Sequence, residues 1–413
     1  MSISEILLYI CILTTPLQSN AFSFRMGGSY LDIAVIFEFL LLIFSTFNYR
    51  IKWTSTTITL TTCYFLFNSL LYLITQYPLN RFLSASFFYL LHLLIITARF
   101  NISSQSISIS IRNLLEKLTI FSSLYVIFQF FILDVRPYAT FAEPSGAGLF
   151  ILAYIVATIA SKIQKNQYIN MLNIIMLLIT LFAFVLTKSM HLFSGILSLM
   201  LFFFIFQDFK ITTNINIRRM LIISFGSLSL FTFIAFNLRH LIERINLFSV
   251  DLNLSQLSWL HGMSQSLYTL RNSPIFGFGF GSTGTFEYTS RFIPLMSDLG
   301  WANMNLKDAY SGLFRLIIET GLIAPLFIIL TVLYIGRKIK SLSRVVSSHQ
   351  SYSNIYSLTN YNNIIFIFVF GLTILIGVLF KEPVWSRSFL PLSIILVYVI
   401  PKIYFNDLIQ NNQ

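Results

Sequence analysis

Long apolar runs separated by short polar stretches dominate this chain. Runs of roughly 18 residues or more recur from end to end, and each predicts a helix long enough to cross a membrane. The pattern predicts about twelve spans: 5–20, 31–48, 55–75, 82–98, 116–133, 146–162, 168–187, 190–207, 219–237, 310–335, 362–380 and 388–405. The seventh and eighth spans are so close in the chain that a tight hairpin between them is one reading. We therefore expect a single all-α integral membrane domain over 1–413.

Composition supports this class and excludes a soluble domain. The 413 residues are 56% hydrophobic and only 10% charged, and the mean hydropathy is +0.77. The first apolar run, 6–15, lacks the basic start and small-residue cleavage site of a signal peptide, so we count it as the first span. Cys11 and Cys63 both lie in apolar runs, where they make neither a disulfide framework nor a zinc site.

Lysine and arginine predict the orientation of the spans. They follow the second, fourth, sixth, eighth and tenth predicted spans, which makes those loops and both termini cytoplasmic. The residues are Arg50, Lys52, Arg99, Arg112, Lys117, Lys162, Lys165, Lys210, Arg218, Arg219, Arg337, Lys338, Lys340 and Arg344. The net charge of +12 is thus distributed over membrane-flanking loops, and no nucleic-acid partner is expected. The opposite side carries one large loop, 238–309, with short helices.

Several basic residues fall on that outer side, against the usual bias. They are Arg136, Lys188, Arg271, Arg291, Lys307, Lys381 and Arg387. Each of these residues has two interpretations. It is a charge that an outer loop tolerates, or it is part of an outward-facing site for an anionic ligand.

The segment NSPIFGFGFGSTG, 272–284, contains a formal G-x-G-x-x-G pattern. A dinucleotide fingerprint needs a strand before it, a helix after it and a βαβ unit around it. Here 257–270 predicts a short amphipathic helix before the glycines, and no parallel-sheet pattern follows. We therefore do not expect nucleotide binding.

Two other interpretations fit the glycine segment. It is a turn that returns the chain to the membrane surface, with Phe276, Phe278 and Phe280 as interfacial anchors. Its glycines also allow the backbone to approach a ligand closely. The two interpretations are compatible with each other.

Four segments resemble the O-antigen polymerase and O-antigen ligase superfamily. NSPIFGFGFG, 272–281, resembles the family's N-P-L-F-G-x-G-x-G segment, which lies in a large periplasmic loop. RPYATFAEPS, 136–145, resembles a segment in the form typical of Wzy-type polymerases. LTKS, 186–189, resembles the T-x-S turn between two central helices, and LFRLIIETGLIA, 313–324, resembles the start of the helix after the large loop. The resemblance covers about 130–340, and the four segments occur in the family's order.

The resemblance implies a polymerising glycosyltransferase of the GT-C-like type in the bacterial inner membrane. Its substrates would be polyprenyl-diphosphate-linked glycans, as donor and as acceptor, and its other partners membrane lipid and a chain-length regulator protein. No cofactor is implied, and the histidines and carboxylates show no metal-ligand spacing. The sequence departs from the ligase pattern at three places, and these departures argue against a ligase. The residues that stand where ligases carry others are Tyr310, Met190 and the segment Ser258-Trp-Leu-His261.

The chemistry needs cations for the diphosphate leaving group and a base for the acceptor hydroxyl. The candidate diphosphate ligands are Arg136, Lys188, Arg271, Arg291 and Arg315. The candidate bases are Glu143, which we favour, His261 and Asp308. Gly277, Gly279 and Gly281 are expected to form a wall of the cleft.

Several of these residues also have a purely structural interpretation. Arg315 and Glu319 are four residues apart on one helix and are able to neutralise each other. His261 is equally an interfacial histidine, and Asp308 a helix N-cap. Asp32 and Glu38 lie in the second predicted span, where Glu38 needs a partner from another helix.

Two other functions stay open at this stage. A lipid-linked glycan transporter or flippase also fits twelve spans, although such transporters tend to show two similar halves, and we find no such repeat. An O-antigen ligase shares the family but transfers to a different acceptor.

Overall fold

The computed structural model describes the greater part of the chain. The described residues are 2–16, 23–26, 29–48, 51–53, 55–75, 78–100, 107–133, 139, 141, 144–165, 171–187, 189, 191–206, 254–285, 288, 290–300, 309–348, 354–381 and 389–411. The predicted span 219–237 lies outside them.

The described part is mainly helical, as the apolar pattern predicts. The helices are α1 Ile3–Thr14, α2 Ile33–Phe47, α3 Ser55–Thr75, α4 Leu79–Thr97, α5 Ile107–Ile132, α6 Pro144–Lys165, α7 Met171–Thr187, α8 Leu192–Phe206, α9 Leu254–Asn272, α10 Phe292–Asp298, α11 Gly312–Thr320, α12 Ile323–Ser348, α13 Asn354–Lys381, α14 Phe389–Ile394 and α15 Ile400–Asn411, with a π-helical segment, Ile395–Val399, between the last two.

Four short strands add to the helices and were not expected from the sequence. The strands are β1 Ser23–Met26, β2 Ser29–Asp32, β3 Ile51–Lys52 and β4 Arg99–Phe100. β1 pairs antiparallel with β2, and β3 pairs antiparallel with β4. The second pair joins the start of α3 to the end of α4, so it closes a local helical hairpin.

Among the described residues, five helices are long and apolar enough to cross a membrane. These stretches are Thr57–Thr75, Leu79–Thr97, Ile107–Ile132, Ser145–Ile163 and Tyr361–Lys381. Several shorter apolar helices accompany them among the described residues. The exposed side chains of α3, α5, α7 and α8 include many leucines, isoleucines and phenylalanines, an apolar exterior compatible with a membrane protein.

Two antiparallel helices, α6 and α13, form the centre of the bundle. Their apolar windows are 83% and 89% buried, whereas the other three long windows are less than half buried. Phe150 meets Phe370 and Tyr154 meets Phe366, so the start of α6 lies beside the end of α13. α5, α7, α8 and α12 surround this pair.

The predicted span 310–335 is wrong as a single helix. The chain forms α11 and α12 there, and the break falls at Gly321 and Leu322. Gly321 has a φ of +60°, in the left-handed region that favours glycine, and it ends α11. The apolar run continues on both sides of this break, which is why hydrophobicity alone does not reveal it.

α7 and α8 do not form the tight hairpin that their spacing suggests. Both helices pack on α6 instead of mainly on each other. The short connection between them therefore lies across the start of α6, where it brings Thr187 and Ser189 to Gly148.

Glu38 has the interhelical partner that its position predicts. It lies in α2, fully buried, with a carboxylate oxygen 3.3 Å from Nδ1 of His92 in α4. Asp32, by contrast, ends strand β2 and does not lie in the helix. The Glu38–His92 contact ties α2 to α4 inside the apolar part of the bundle.

Candidate functional site

The described parts of the four segments that carry the family resemblance lie towards one end of the bundle. α6, α8 and α11 begin at this end, and α5, α7 and α13 finish at it. The Ser311 hydroxyl, at the start of α11, donates a 2.6 Å hydrogen bond to the carbonyl of Leu379 near the end of α13. A single region thus contains the termini of six helices.

The T-x-S turn lies directly on the start of α6. A Cβ built on Gly148 would fall 2.3 Å from the Ser189 Cβ and 2.7 Å from the Thr187 hydroxyl. Only glycine allows this contact, so the turn lies against the first turn of α6, which follows the 136–145 segment in the chain. Arg136, Glu143 and Lys188, which these two segments contribute to the predicted site, lie outside the described residues, as does Asp308.

His191 follows this turn and was not identified from the sequence. It is buried, and its Nε2 has no hydrogen-bond partner among the described residues. Its position between two apolar helices was the one available signal. The arrangement places an imidazole and Lys381 at the same end as the motifs.

Arg315 and Glu319 form the ion pair that their spacing allows. The Arg315 Nε lies 3.0 Å from Glu319 Oε1, and the two side chains are 14% and 0% exposed. The Thr283 hydroxyl donates to the same carboxylate oxygen at 2.9 Å. The self-neutralising interpretation is therefore confirmed, and the pair also links α11 to the glycine segment.

The glycine segment caps the end of α11. The amides of Phe278 and Gly279 donate to the carbonyls of Ile318 and Glu319 at 2.8 and 3.2 Å. These are carbonyls that a helix leaves unsatisfied at its C-terminus. Because the two amides are already used in this way, they are not available to a diphosphate.

Gly277 and Gly321 make this cap possible by close approach. Both have positive φ, of +65° and +60°. A Cβ on Gly277 would fall 2.6 Å from backbone atoms of α11, and one on Gly321 would fall 2.4 Å from the Ile275 carbonyl. Because these glycines have no side chain, the backbone of the glycine segment packs directly against the backbone at the end of α11. Gly281 similarly lies against the backbone of Arg81 in α4.

The expectation of three phenylalanine anchors at a surface is wrong for Phe280. Its ring is fully buried and stacks on Tyr89 at a centroid distance of 4.5 Å. It also contacts Tyr64 and Phe82, so the segment inserts between α3 and α4. Phe276 is exposed, with Phe67 4.2 Å away. The segment is therefore an integral part of the helix packing.

Arg271 and Arg291 are the exposed cations of the region. Arg271 lies in the last turn of α9, where the helix dipole favours a positive charge. Arg291 precedes α10, and its guanidinium lies 5.0 Å from the centroid of the Phe292 ring. Both side chains are accessible to an anionic ligand, in contrast to Arg315.

His261 is buried in the middle of α9. Its Nδ1 lies 2.7 Å from the Ser290 hydroxyl, and burial lowers its pKa from 6.5 to about 4. The imidazole is therefore neutral at physiological pH, which is the form that accepts a proton. The sequence prediction of a helix over 257–270 is confirmed by α9, whereas nothing in the sequence singled out Ser290.

Backbone strain is concentrated beside these residues. Ala309 and Tyr310, just before α11, have φ of +55° and +59°, and Ala139 has φ of +51°. Conformations of this kind cost about 1–3 kcal/mol each in non-glycine residues and cluster at functional sites. A Cβ on Gly262 of α9 would fall 2.1 Å from the Ala309 carbonyl oxygen, so α9 and the strained segment are in direct contact.

Comparison with known proteins adds no family to this description. Neither a scan against models of protein families nor a search of curated proteins finds a match.

Proposed function

We propose that this chain is an integral-membrane glycosyltransferase that polymerises polyprenyl-diphosphate-linked repeat units into a surface polysaccharide. The observation that carries the proposal is the packing of the family-like segments on one another. The 186–189 turn contacts Gly148 at the start of α6, directly after the 136–145 segment, and the amides of the glycine segment bond the end of α11. The bond from Ser311 to Leu379 and the contact of Gly377 with Leu149 bring the start of α11 to the start of α6. A chance resemblance in four separate segments gives no reason for such packing.

The exposed arginines are suited to binding the diphosphate leaving group. The acceptor hydroxyl attacks the anomeric carbon of the donor, the bond from that carbon to the diphosphate oxygen breaks, and charge develops on the diphosphate. Arg271 and Arg291 are accessible and carry no carboxylate partner among the described ion pairs. Arg315 is largely neutralised by Glu319, so we assign it to fixing α11 before any role at the phosphate.

The proton of the attacking hydroxyl requires a base. His261 is neutral and adjoins the strained segment before α11, so it meets the chemical requirement within the described part of the site. Glu143 and Asp308 remain candidates from the sequence. In each case the proton leaves the acceptor oxygen as that oxygen bonds to the anomeric carbon.

The membrane arrangement belongs to the same proposal. Five helices long enough to cross a bilayer and an apolar exterior support a chain embedded in the inner membrane. The charge pattern supports about twelve spans with both termini cytoplasmic. In this arrangement the large loop 238–309 is periplasmic and the architecture is GT-C-like, with the site at the outer face.

Deletion of the gene in the producing bacterium tests the proposal. We expect loss of long surface polysaccharide with retention of single repeat units, as seen on a gel of surface glycans. Complementation with the wild type restores the polymer, Arg271→Ala does not, and the neighbouring Asn272→Ala does. Retention of long chains in the deletion strain would reject the polymerase, and loss of even the single unit would favour a flippase or a ligase.

A further inference from the structure

Three buried polar atoms lie on one face of α9 without hydrogen-bond partners. They are Ser258 Oγ, His261 Nε2 and Gln265 Oε1, and within the described part of the chain none of the three has a partner. The residues are 1%, 1% and 3% exposed. Their spacing of three and four residues places them on the same face of the helix. We refer to these three side chains as the α9 row.

The unpartnered atoms of the α9 row destabilise the folded protein. A buried polar atom without a hydrogen bond has lost its bonds to water and gained none in exchange. The cost is not general to this helix, because the Ser266 hydroxyl donates to the Met263 carbonyl at 2.8 Å and the Thr269 hydroxyl donates to the Gln265 carbonyl at 3.0 Å. The unsatisfied atoms are thus confined to the α9 row, and buried polar groups of this kind call for a partner.

The chemistry of the row indicates a neutral ligand. A hydroxyl, a neutral imidazole nitrogen and an amide oxygen donate or accept hydrogen bonds but carry no charge. Burial is the cause of the lowered pKa of His261 among the described residues. A phosphate would be expected among cations, and on α9 the cation is Arg271, at the exposed end of the helix.

Two described side chains lie against α9 near the row. The Tyr288 hydroxyl contacts the hydroxyl of Ser264, and the Ser290 hydroxyl contacts Nδ1 of His261 and not its Nε2. The following helix, α10, is short and mostly exposed and packs on α9. A hydroxyl group of a ligand is able to bond the imidazole in the way that the Ser290 hydroxyl does.

We infer that the α9 row binds the hydroxyl groups of the acceptor glycan, while the exposed arginines hold the donor's diphosphate. This assignment rests on the proposed function and divides its site into a neutral sugar-binding part and a cationic part. It also gives His261 a direct contact with the hydroxyl that reacts.

The test measures binding of a free glycan to the full-length protein in nanodiscs. The probe is the oligosaccharide repeat unit released from the surface polysaccharide of the producing cells, titrated by calorimetry. Ser258→Ala and Gln265→Leu should each weaken binding about tenfold, the equivalent of one hydrogen bond of about 1.4 kcal/mol. Ser266→Ala is the matched control and should bind as the wild type does, because its hydroxyl bonds its own helix.

Thermal melting of the same variants separates binding from folding. Removing a polar group that lacks a partner should leave the melting temperature unchanged or raise it, so weaker binding by a protein of full stability supports the row. Wild-type affinity in both row variants, or no binding of the glycan by the wild type, would overturn the inference.

The gene deletion distinguishes this result from failure of the proposed function. A deletion strain that keeps its polymer, together with weakened glycan binding in the row variants, would reject the polymerase and retain the glycan site. A deletion strain that loses its polymer, together with full binding by the row variants, would retain the polymerase and reject the row.

Discussion

At the residue scale, each of two buried carboxylates has a side-chain partner on a helix. Glu38 meets His92 and Glu319 meets Arg315, each inside an otherwise apolar part of the bundle. The partner of Glu319 was predictable because helical spacing places residues i and i+4 side by side. The need for a partner to Glu38 was also predictable, but its identity was not, because it depends on how α2 and α4 pack.

Neutralising Glu319 alone should destabilise the protein. Glu319→Gln keeps the shape of the side chain but leaves Arg315, which is 14% exposed, without its counter-charge. Removing one partner of a buried pair costs about 3–5 kcal/mol, and we expect a lower free energy of unfolding by that amount in detergent. The double variant Arg315→Met with Glu319→Leu should recover most of the loss. Equal stability of Glu319→Gln and the wild type would contradict a stabilising pair.

The buried His261 should make stability fall in acid. Its pKa is about 4 in the folded protein and 6.5 ordinarily, so between these values the unfolded state binds the proton more readily. The contribution of the neutral imidazole is complete above about pH 6.5 and is lost as the pH falls towards 4. His261→Gln should therefore show a smaller fall in melting temperature over this range. The other histidines are present in both proteins, so their contribution cancels from the difference. Identical pH profiles would contradict the assignment.

At the element scale, the glycine segment acts as a helix cap. Its amides satisfy the end of α11, and its one buried phenylalanine, Phe280, fills the space between α3 and α4. The segment follows the helix α9, whereas a dinucleotide fingerprint follows a strand. The cap itself was not predictable, since it depends on Gly277 meeting Gly321 across 44 residues.

Two glycine substitutions distinguish the energetic cost of a left-handed backbone from the cost of close packing. Gly277 and Gly300 both have left-handed backbones, but a Cβ on Gly277 meets the backbone of α11, whereas one on Gly300 has no atom within 4 Å. Gly300→Ala should cost about 1 kcal/mol through its conformation. Gly277→Ala should cost a further 1–3 kcal/mol, roughly, through overpacking. Chemical denaturation of the two variants checks the difference, and equal losses would argue against the cap.

At the scale of the whole molecule, hydrophobic pattern predicted more of the helices than of their packing. Apolar runs identify the long helices because each needs an apolar face, whether it contacts lipid or protein. The same runs gave no sign that α6 and α13 are central, that α7 and α8 flank α6, or that β3 pairs with β4. These features arise from contacts between distant segments, which periodicity does not encode.

The same reasoning applies to the site. The glycine segment, Arg315, Glu319 and His261 were identified from residue type and order, and the structure locates them beside α11 and α9. Thr283 and Ser290 were missed because a serine or threonine in a polar turn has no distinguishing pattern, and His191 was missed although it lies between two apolar helices. Their roles come from burial and distance, which only the folded chain supplies.

Reconstituted polymerisation is the most direct test of the proposed activity. The purified protein would be placed in lipid vesicles with lipid-linked repeat units, and the products would be separated by size on a gel. We predict a ladder of glycans that increases by one repeat unit at each step, and no ladder with Arg271→Ala. Repeat units that stay single with the wild-type protein, whether or not they cross the bilayer, would contradict a polymerase.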